Sequence, residues 1–160
     1  MKFKPTVVAG LAIAALLGTA SLTIAQDDKA AMDAIKARKA TMQLFAYNLG
    51  YLGGVAKGEI EYDAAAASAA ASNLAKLTTL DQSRYWLPGT DTASMGEATR
   101  ALPALWEADS EAGQMVMQLA AAAADLDAAA GDGADAVRAA LGPVGQACGA
   151  CHKAYRQSDN

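Results

Sequence analysis

Both cysteines of the chain and its one histidine fall in five consecutive residues, Cys148-Gly149-Ala150-Cys151-His152, close to the C-terminus. C-x-x-C-H is the spacing of c-type haem attachment. Residues three apart share a helix face and rise by about 4.5 Å, so each thiol can form a thioether with one vinyl group of a single porphyrin. The imidazole that follows can reach the iron from one side. Three other readings fit less well. A structural zinc site takes four ligands, and two thiols with one imidazole leave it short. A redox dithiol of the thioredoxin kind belongs to a βαβ unit, and this tail has no strand signal ahead of it. A plain disulfide gives the adjacent histidine no task. The chain must therefore end in a helix that holds one haem c through Cys148 and Cys151, with His152 as the iron ligand.

The start of the chain reads as an export signal. Lys2 and Lys4 precede the apolar stretch VVAGLAIAALLGTASLTIA, and Thr23-Ile24-Ala25 supplies small residues before polar QDDK. Cleavage after Ala25 makes residues 1–25 a signal peptide and 26–160 the mature domain. The other reading, an uncleaved anchor, meets a segment near the lower length limit and diluted by Gly10 and Gly18. No later stretch is apolar and long enough to span a bilayer. Export places the protein in the periplasm, which is oxidising. Losing Lys2 and Lys4 leaves 11 Lys and Arg against 17 Asp and Glu, a formal charge of −6. That balance argues against nucleic acid and anionic lipid and is compatible with a basic protein partner.

Alanine dominates the mature chain, and no β-branched runs follow the leader, so the fold class is all-α. Four helical segments are predicted. The first covers about 28–53 and stops in GGVAKGE; the second starts at Tyr62 or Asp63 and runs through YDAAAASAAASNLAKLTTLDQSR. The third follows Pro103 and closes at GDG, and the fourth runs from about Ala134 through the haem motif. Pro143 predicts a kink or a one-turn break in the last. Two links are short. One, from about Tyr85 to Leu102, is long, and long ordered loops are often functional. The pattern predicts an antiparallel four-helix bundle around a covalent haem.

Haem iron can take a second axial ligand on its other face, and no second histidine exists. Methionine is the substitute, with Met32, Met42, Met95, Met115 and Met117 as candidates. In the first helix Ile35, Arg38, Met42, Phe45, Leu49 and Leu52 recur at steps of three and four, a core-facing seam. An arginine there needs an anion, because an unpaired buried charge is costly. The seam has no carboxylate, and a haem propionate would supply one bidentately; the alternative is that Arg38 snorkels to the bundle end. Met42, one turn on, then points over the porphyrin. It either ligates the iron, or only blocks that position, or fills core.

With C-x-x-C-H at the end of a four-helix chain and R-x-x-x-M on the first helix, the sequence resembles the cytochrome c′ family. The resemblance spans about Asp28 to Arg156. It rests on ARKATM, KGEIEYDAAAA, YWLPGTD, TRALPALWE and, most specifically, VGQACGACHKAYR. It implies an antiparallel four-helix bundle, often a homodimer, with a five-coordinate high-spin iron ligated by His152. It implies that Arg38 contacts a propionate, with Lys39 the polar residue after it, and that Met42 is a distal blocker. Arg156 matches the basic residue near the proximal face, and Thr99 and Arg100 fall in the segment that touches the haem edge. Trp86 packs near the haem or is an ordinary core aromatic. Binding of small diatomic gases, NO and CO, and electron transfer with a redox protein are the functions implied.

Two functions follow, a high-spin gas-binding haem protein and a low-spin electron carrier with Met42 as sixth ligand. A haem enzyme such as a peroxidase needs an acid–base group over the distal face. The first-helix seam offers no His, Asp or Glu near Met42, so the chain reads as no enzyme.

Overall fold

The computed structural model describes the backbone of residues 18–158 and the side chains of 27–158. Most of the expected leader lies outside the described residues; its last part, residues 18–25, is helical and continuous with the first helix. Four long helices form the bundle: α1 (Gly18–Lys57), α2 (Ala64–Thr78), α4 (Ala112–Ala129) and α5 (Ala134–Tyr155). A one-turn helix, α3 (Thr92–Met95), and two 3₁₀ turns, Gly96–Ala98 and Pro103–Trp106, lie in the long connection. Going round the bundle, α1 packs on α2, α2 on α4, α4 on α5 and α5 back on α1. Among the described residues no helix is long and apolar enough to cross a membrane.

The helix ends show why the chain turns where it does. Gly53 and Gly54 do not stop α1, as the glycine-rich stretch predicts; the helix runs on to Lys57. Gly58, at φ +75°, closes it with the paired bonds of a Schellman motif, Gly58 N–H to Val55 O and Glu59 N–H to Gly54 O. Gly54 has a packing duty instead, since a Cβ there would stand 2.6 Å from the Ile60 side chain. Asp63 caps α2, its carboxylate accepting from Ala66 N–H at 2.7 Å. α2 stops at Thr78, short of the expected end, because the Thr78 and Thr79 hydroxyls donate back to the carbonyls of Ala75 and Lys76. Pro103 opens a 3₁₀ turn rather than the third bundle helix, which begins only at Ala112. The crossing connection is therefore residues 79–111, longer at both ends than the sequence predicts. Pro143 neither ends nor interrupts α5. Val137 and Val144, both within 1% of fully buried, anchor the helix on each side of it.

The core is an alanine–leucine interior. Leu52, Leu74 and Leu126 are fully buried, with Phe45, Val55, Ala67, Ala71, Val137 and Val144 around them. Each large side chain contributes about 1.5–3 kcal/mol by leaving water, and the alanines let the helices approach closely. Four of the six predicted α1 seam residues, Ile35, Arg38, Phe45 and Leu52, are buried and Leu49 packs partly buried against the core; Met42 is exposed instead. Thr41 and Asn48 are buried beside them. Their polar groups are satisfied locally: Thr41 donates to Ala37 O, Asn48 to Leu44 O, and Asn73 of α2 donates to Asn48 Oδ1.

At one end of the bundle Tyr62 locks the helices together, its hydroxyl donating to Ala130 O and accepting from Gly133 N–H, both at 3.0 Å. Arg138 of α5 donates to Ala56 O of α1 at the same end. The crossing connection spans the opposite end, where α1 and α4 begin and α5 finishes.

Candidate haem-binding site

Cys148 and Cys151 are half-buried free thiols on the last two turns of α5. Burial pushes both thiols up from their ordinary pKa, and the neighbouring Cys151 adds to the shift at Cys148. His152 follows on the exposed side of α5, its pKa lowered first by burial of the ring and then by the Arg156 charge. Among the described residues no three His, Cys, Asp or Glu side chains are grouped to hold a bare metal ion.

Helix arithmetic places Met42 toward the motif's end of the bundle. Arg138 touches α1 at Ala56, which fixes facing flanks of the two antiparallel helices. Met42 is fourteen residues before Ala56 and His152 fourteen after Arg138. Fourteen residues are close to four turns, so each returns to within about 40° of the contact flank, about 21 Å along the axis. Met42 and His152 therefore lie about equally far along their helices from that contact, toward the end of the bundle that the connection closes. Met42 is 37% exposed and takes no part in the core cluster.

One turn earlier Arg38 is 5% exposed. Its Nη1 donates to Tyr85 O at 3.3 Å and to Thr90 Oγ1 at 3.0 Å. Its Nη2 donates to Thr90 O at 3.0 Å and to Thr99 Oγ1 at 2.7 Å. The guanidinium lies 4.7 Å from the centroid of the Trp86 ring and 5.9 Å from that of Trp106, within cation–π range. Every one of these partners is neutral, and burial lowers the guanidinium's pKa. The sequence reading asked for an anion beside Arg38. Among the described residues none is paired with it, so the hydrogen bonds are met and the charge is not.

The same connection is sewn to the end of α5. Leu102 N–H donates to Tyr155 O, Gln157 N–H to Arg100 O, and Ala101 forms an antiparallel bridge with Arg156. The Tyr155 hydroxyl accepts from Glu111 N–H at 2.8 Å. Thr99 is 2% exposed and joins the two halves of the arrangement, accepting from Arg38 and from Ala101 N–H. Trp86 is half-buried and donates to Gln82 Oε1, while its carbonyl accepts from Trp106 Nε1. Lys39 is exposed on the Met42 side of α1, Arg100 is half-buried, and Arg156 is exposed at the end of α5. Sequence reasoning missed Thr90, Tyr85 and Trp106. A buried arginine calls for acceptors, and nothing in the pattern says which loop carbonyl or hydroxyl supplies them.

These residues fit a covalent haem. Two thiols share a helix face, an imidazole follows them, a thioether lies toward the same end of the bundle, and a buried cation lacks the carboxylate that a propionate carries. Fold and donor set define a c-type haem protein built on a four-helix bundle. The family model for Cytochrome C' matches residues 33–156, and the chain belongs to that family, whose cofactor is haem c. It is 40% identical over 138 residues to cytochrome c-554 of Cereibacter sphaeroides, covering 85% of this chain and 88% of that one. It is 42% identical over 123 residues to cytochrome c' of the same species, 76% and 81% covered. The solved cytochrome c' of Rhodobacter sphaeroides superposes with a TM-score of 0.77 at 39% identity, over 81% of this chain and 98% of that one. Two further solved relatives, 31% and 30% identical, are a ferrous Alcaligenes xylosoxidans variant with bound NO and a cytochrome c' with ligand-controlled dimer dissociation.

Proposed function

We propose that this chain is a periplasmic haem protein that admits NO or CO at a face blocked by Met42 and passes single electrons. The observation that carries the reading is the buried Arg38, whose hydrogen-bond partners are all neutral, in a chain of the Cytochrome C' family with C-x-x-C-H on α5. Bound haem supplies an iron with one coordination position to fill and a one-electron couple. Cys148 and Cys151 would tether it, His152 would ligate its iron, and Arg38 would meet a propionate. Thr99, Arg100, Lys39, Trp86 and Arg156 line its edge. Met42 excludes bulky molecules and yields to a small diatomic. The bound NO of the Alcaligenes xylosoxidans relative supports this.

A specific observation favours a second reading, in which Met42 is the sixth ligand. Its side chain is not committed to the core, so the thioether is free to turn toward an iron. One of the relatives at 40% identity is named c-554 rather than c'. The absorption spectrum with and without CO separates the two. Broad high-spin bands that shift with CO support the blocked site; a sharp reduced α-band with a weak methionine–iron band supports ligation. Met42→Ala speeds gas binding in the first case and abolishes the low-spin signal in the second.

The outer groove between α1 and α2, lined by Leu44, Leu77 and Leu80, is the surface by which two copies would pair, as the dimeric relative suggests. Sedimentation of the mature protein with and without CO tests that, and its intact mass tests loss of residues 1–25 and gain of one haem.

A further inference from the structure

The link between α4 and α5 carries the sequence Ala130-Gly131-Asp132-Gly133. Ala130–Asp132 is a 3₁₀ turn, and α5 starts at Ala134. Asp132 is the one aspartate of the chain that glycine follows, and glycine follows no asparagine. That pair has a chemistry of its own. A main-chain amide nitrogen can attack the carboxyl carbon of the aspartate before it and close a succinimide ring. Glycine hinders the attack least, since it has no Cβ and moves freely in φ and ψ. Asp132 is exposed, and among the described residues its carboxylate has no hydrogen-bond or ion-pair partner to hold it away.

The turn cannot do without this glycine. Gly133 has φ +120° and ψ 167°, a region essentially closed to residues with a Cβ. Space is not the reason, because a Cβ there would meet nothing within 4 Å. The residue that the turn geometry requires is therefore the one that opens Asp132 to cyclisation. The attacking nitrogen, however, is held. Gly133 N–H donates to the Tyr62 hydroxyl at 3.0 Å, and that hydroxyl donates in turn to Ala130 O at 3.0 Å. Gly133 O accepts from Val137 N–H at 3.1 Å, and Val137 is fully buried. Tyr62 lies just before α2, so the restraint comes from a different helix pair than the one it restrains.

We propose that Asp132–Gly133 is a self-modification site, a pair that forms isoaspartate, and that Tyr62 is the latch that holds it off. In the first step Gly133 N bonds to Asp132 Cγ. The hydroxyl of the carboxylic acid leaves with the amide proton as one water molecule, and a succinimide remains. Water then adds to either imide carbonyl. Addition at the main-chain carbonyl leaves the chain running through the Asp132 side chain, with mass and charge unchanged and no electron moved. The isoaspartate adds one carbon to the backbone ahead of α5 and pushes its first turn off the core that Val137 fills. Attack requires Gly133 N–H to leave Tyr62, so the rate follows the opening of this link.

The test uses the haem-loaded mature protein, incubated for weeks in warm, mildly acidic buffer. Isoaspartate is counted by methyl transfer from labelled S-adenosylmethionine with purified isoaspartyl methyltransferase. It is located by electron-transfer fragmentation of the tryptic peptide that ends at Arg138. The samples are the wild type, Tyr62→Phe, Asp132→Glu and the wild type unfolded in urea; the haem spectrum and circular dichroism confirm that the folded ones are assembled. Folded wild type is expected to form isoaspartate at Asp132 about tenfold more slowly than the unfolded chain. Tyr62→Phe should speed it about fivefold, the equivalent of one hydrogen bond, and leave exposed Asp109, which Ser110 follows, unchanged. Asp132→Glu should form none at that position. Equal rates in folded and unfolded wild type, no isoaspartate at Asp132 in the unfolded chain, a wild-type rate in folded Tyr62→Phe, or an equal rise at Asp109 would overturn the proposal. If Tyr62→Phe does not assemble, hydrogen exchange at the Gly133 amide of the wild type takes its place. Slow exchange there upholds the latch, and exchange as fast as that of an open amide sinks it.

Discussion

The two ends of this bundle are made of the same helices and closed by opposite means. At the end where α1 turns into α2 and α4 into α5, the links are short and the interior is filled. Leu52, Leu126 and Val137 exclude water completely, and one tyrosine hydroxyl satisfies the turn. At the end that carries Cys148 to His152, apolar side chains such as Met42, Val116 and Met117 stand exposed. Closure there comes from a long connection pinned by a buried arginine and a few backbone bonds. The first end is held by apolar burial, which is non-directional and tolerant. The second is held by directional polar bonds around a charge, which fail when one partner is lost.

That contrast can be broken in order of expected effect. Cys148→Ala with Cys151→Ala should leave no covalently bound haem, read by haem staining of the denatured chain; retention of colour on the denatured chain refutes the attachment site. Leu126→Ala, in the filled end, should cost about 2–5 kcal/mol in denaturant unfolding of the haem-loaded protein and leave its spectrum unchanged. A spectral change would mean that the two ends are not separable. Thr99→Val, in the pinned end, removes a hydroxyl that a buried guanidinium donates to. The expected loss is about 1.5–3 kcal/mol, with a shift in the haem spectrum or CO-binding rate that Leu126→Ala does not produce.

The smallest effect is a pH dependence at the pinned end. Asp91 accepts from Ser94 and Ala93 N–H at 2.9 and 2.8 Å, and these bonds, the Ser94 one first, hold its carboxyl below the ordinary carboxylate range. A lowered folded-state pKa means that its stabilisation is present above about pH 4. It is lost as pH falls through the folded value. Asp91→Asn should remove that part of the acid transition and cost about 1 kcal/mol or less at neutral pH. Unchanged acid unfolding in the variant would show that the cap contributes nothing.

The haem motif was legible from spacing alone, because thioether chemistry and helix pitch leave little freedom. So were four helices, the start of α2 near Asp63 and the buried Arg38, all local or periodic signals. The connection was not. Its length was underestimated at both ends, since Thr78 and Thr79 end α2 by bonding backward and Pro103 opens a 3₁₀ turn instead of a bundle helix. The α1 seam was legible except at Met42, which is exposed, and at Thr41 and Asn48, which are buried, Asn48 accepting from Asn73 of α2. A helical repeat read from one strand of sequence cannot know which neighbour a polar residue will face.

The sequence by itself determined the helices and the C-x-x-C-H motif, because each depends on residues within a few positions of one another. Only the tertiary structure decided that Arg38 is shared by Thr90 and Thr99, and that the connection is sewn to the end of α5. Those are distances between helices, and they are set by how alanine-lined faces close on one another rather than by any single segment.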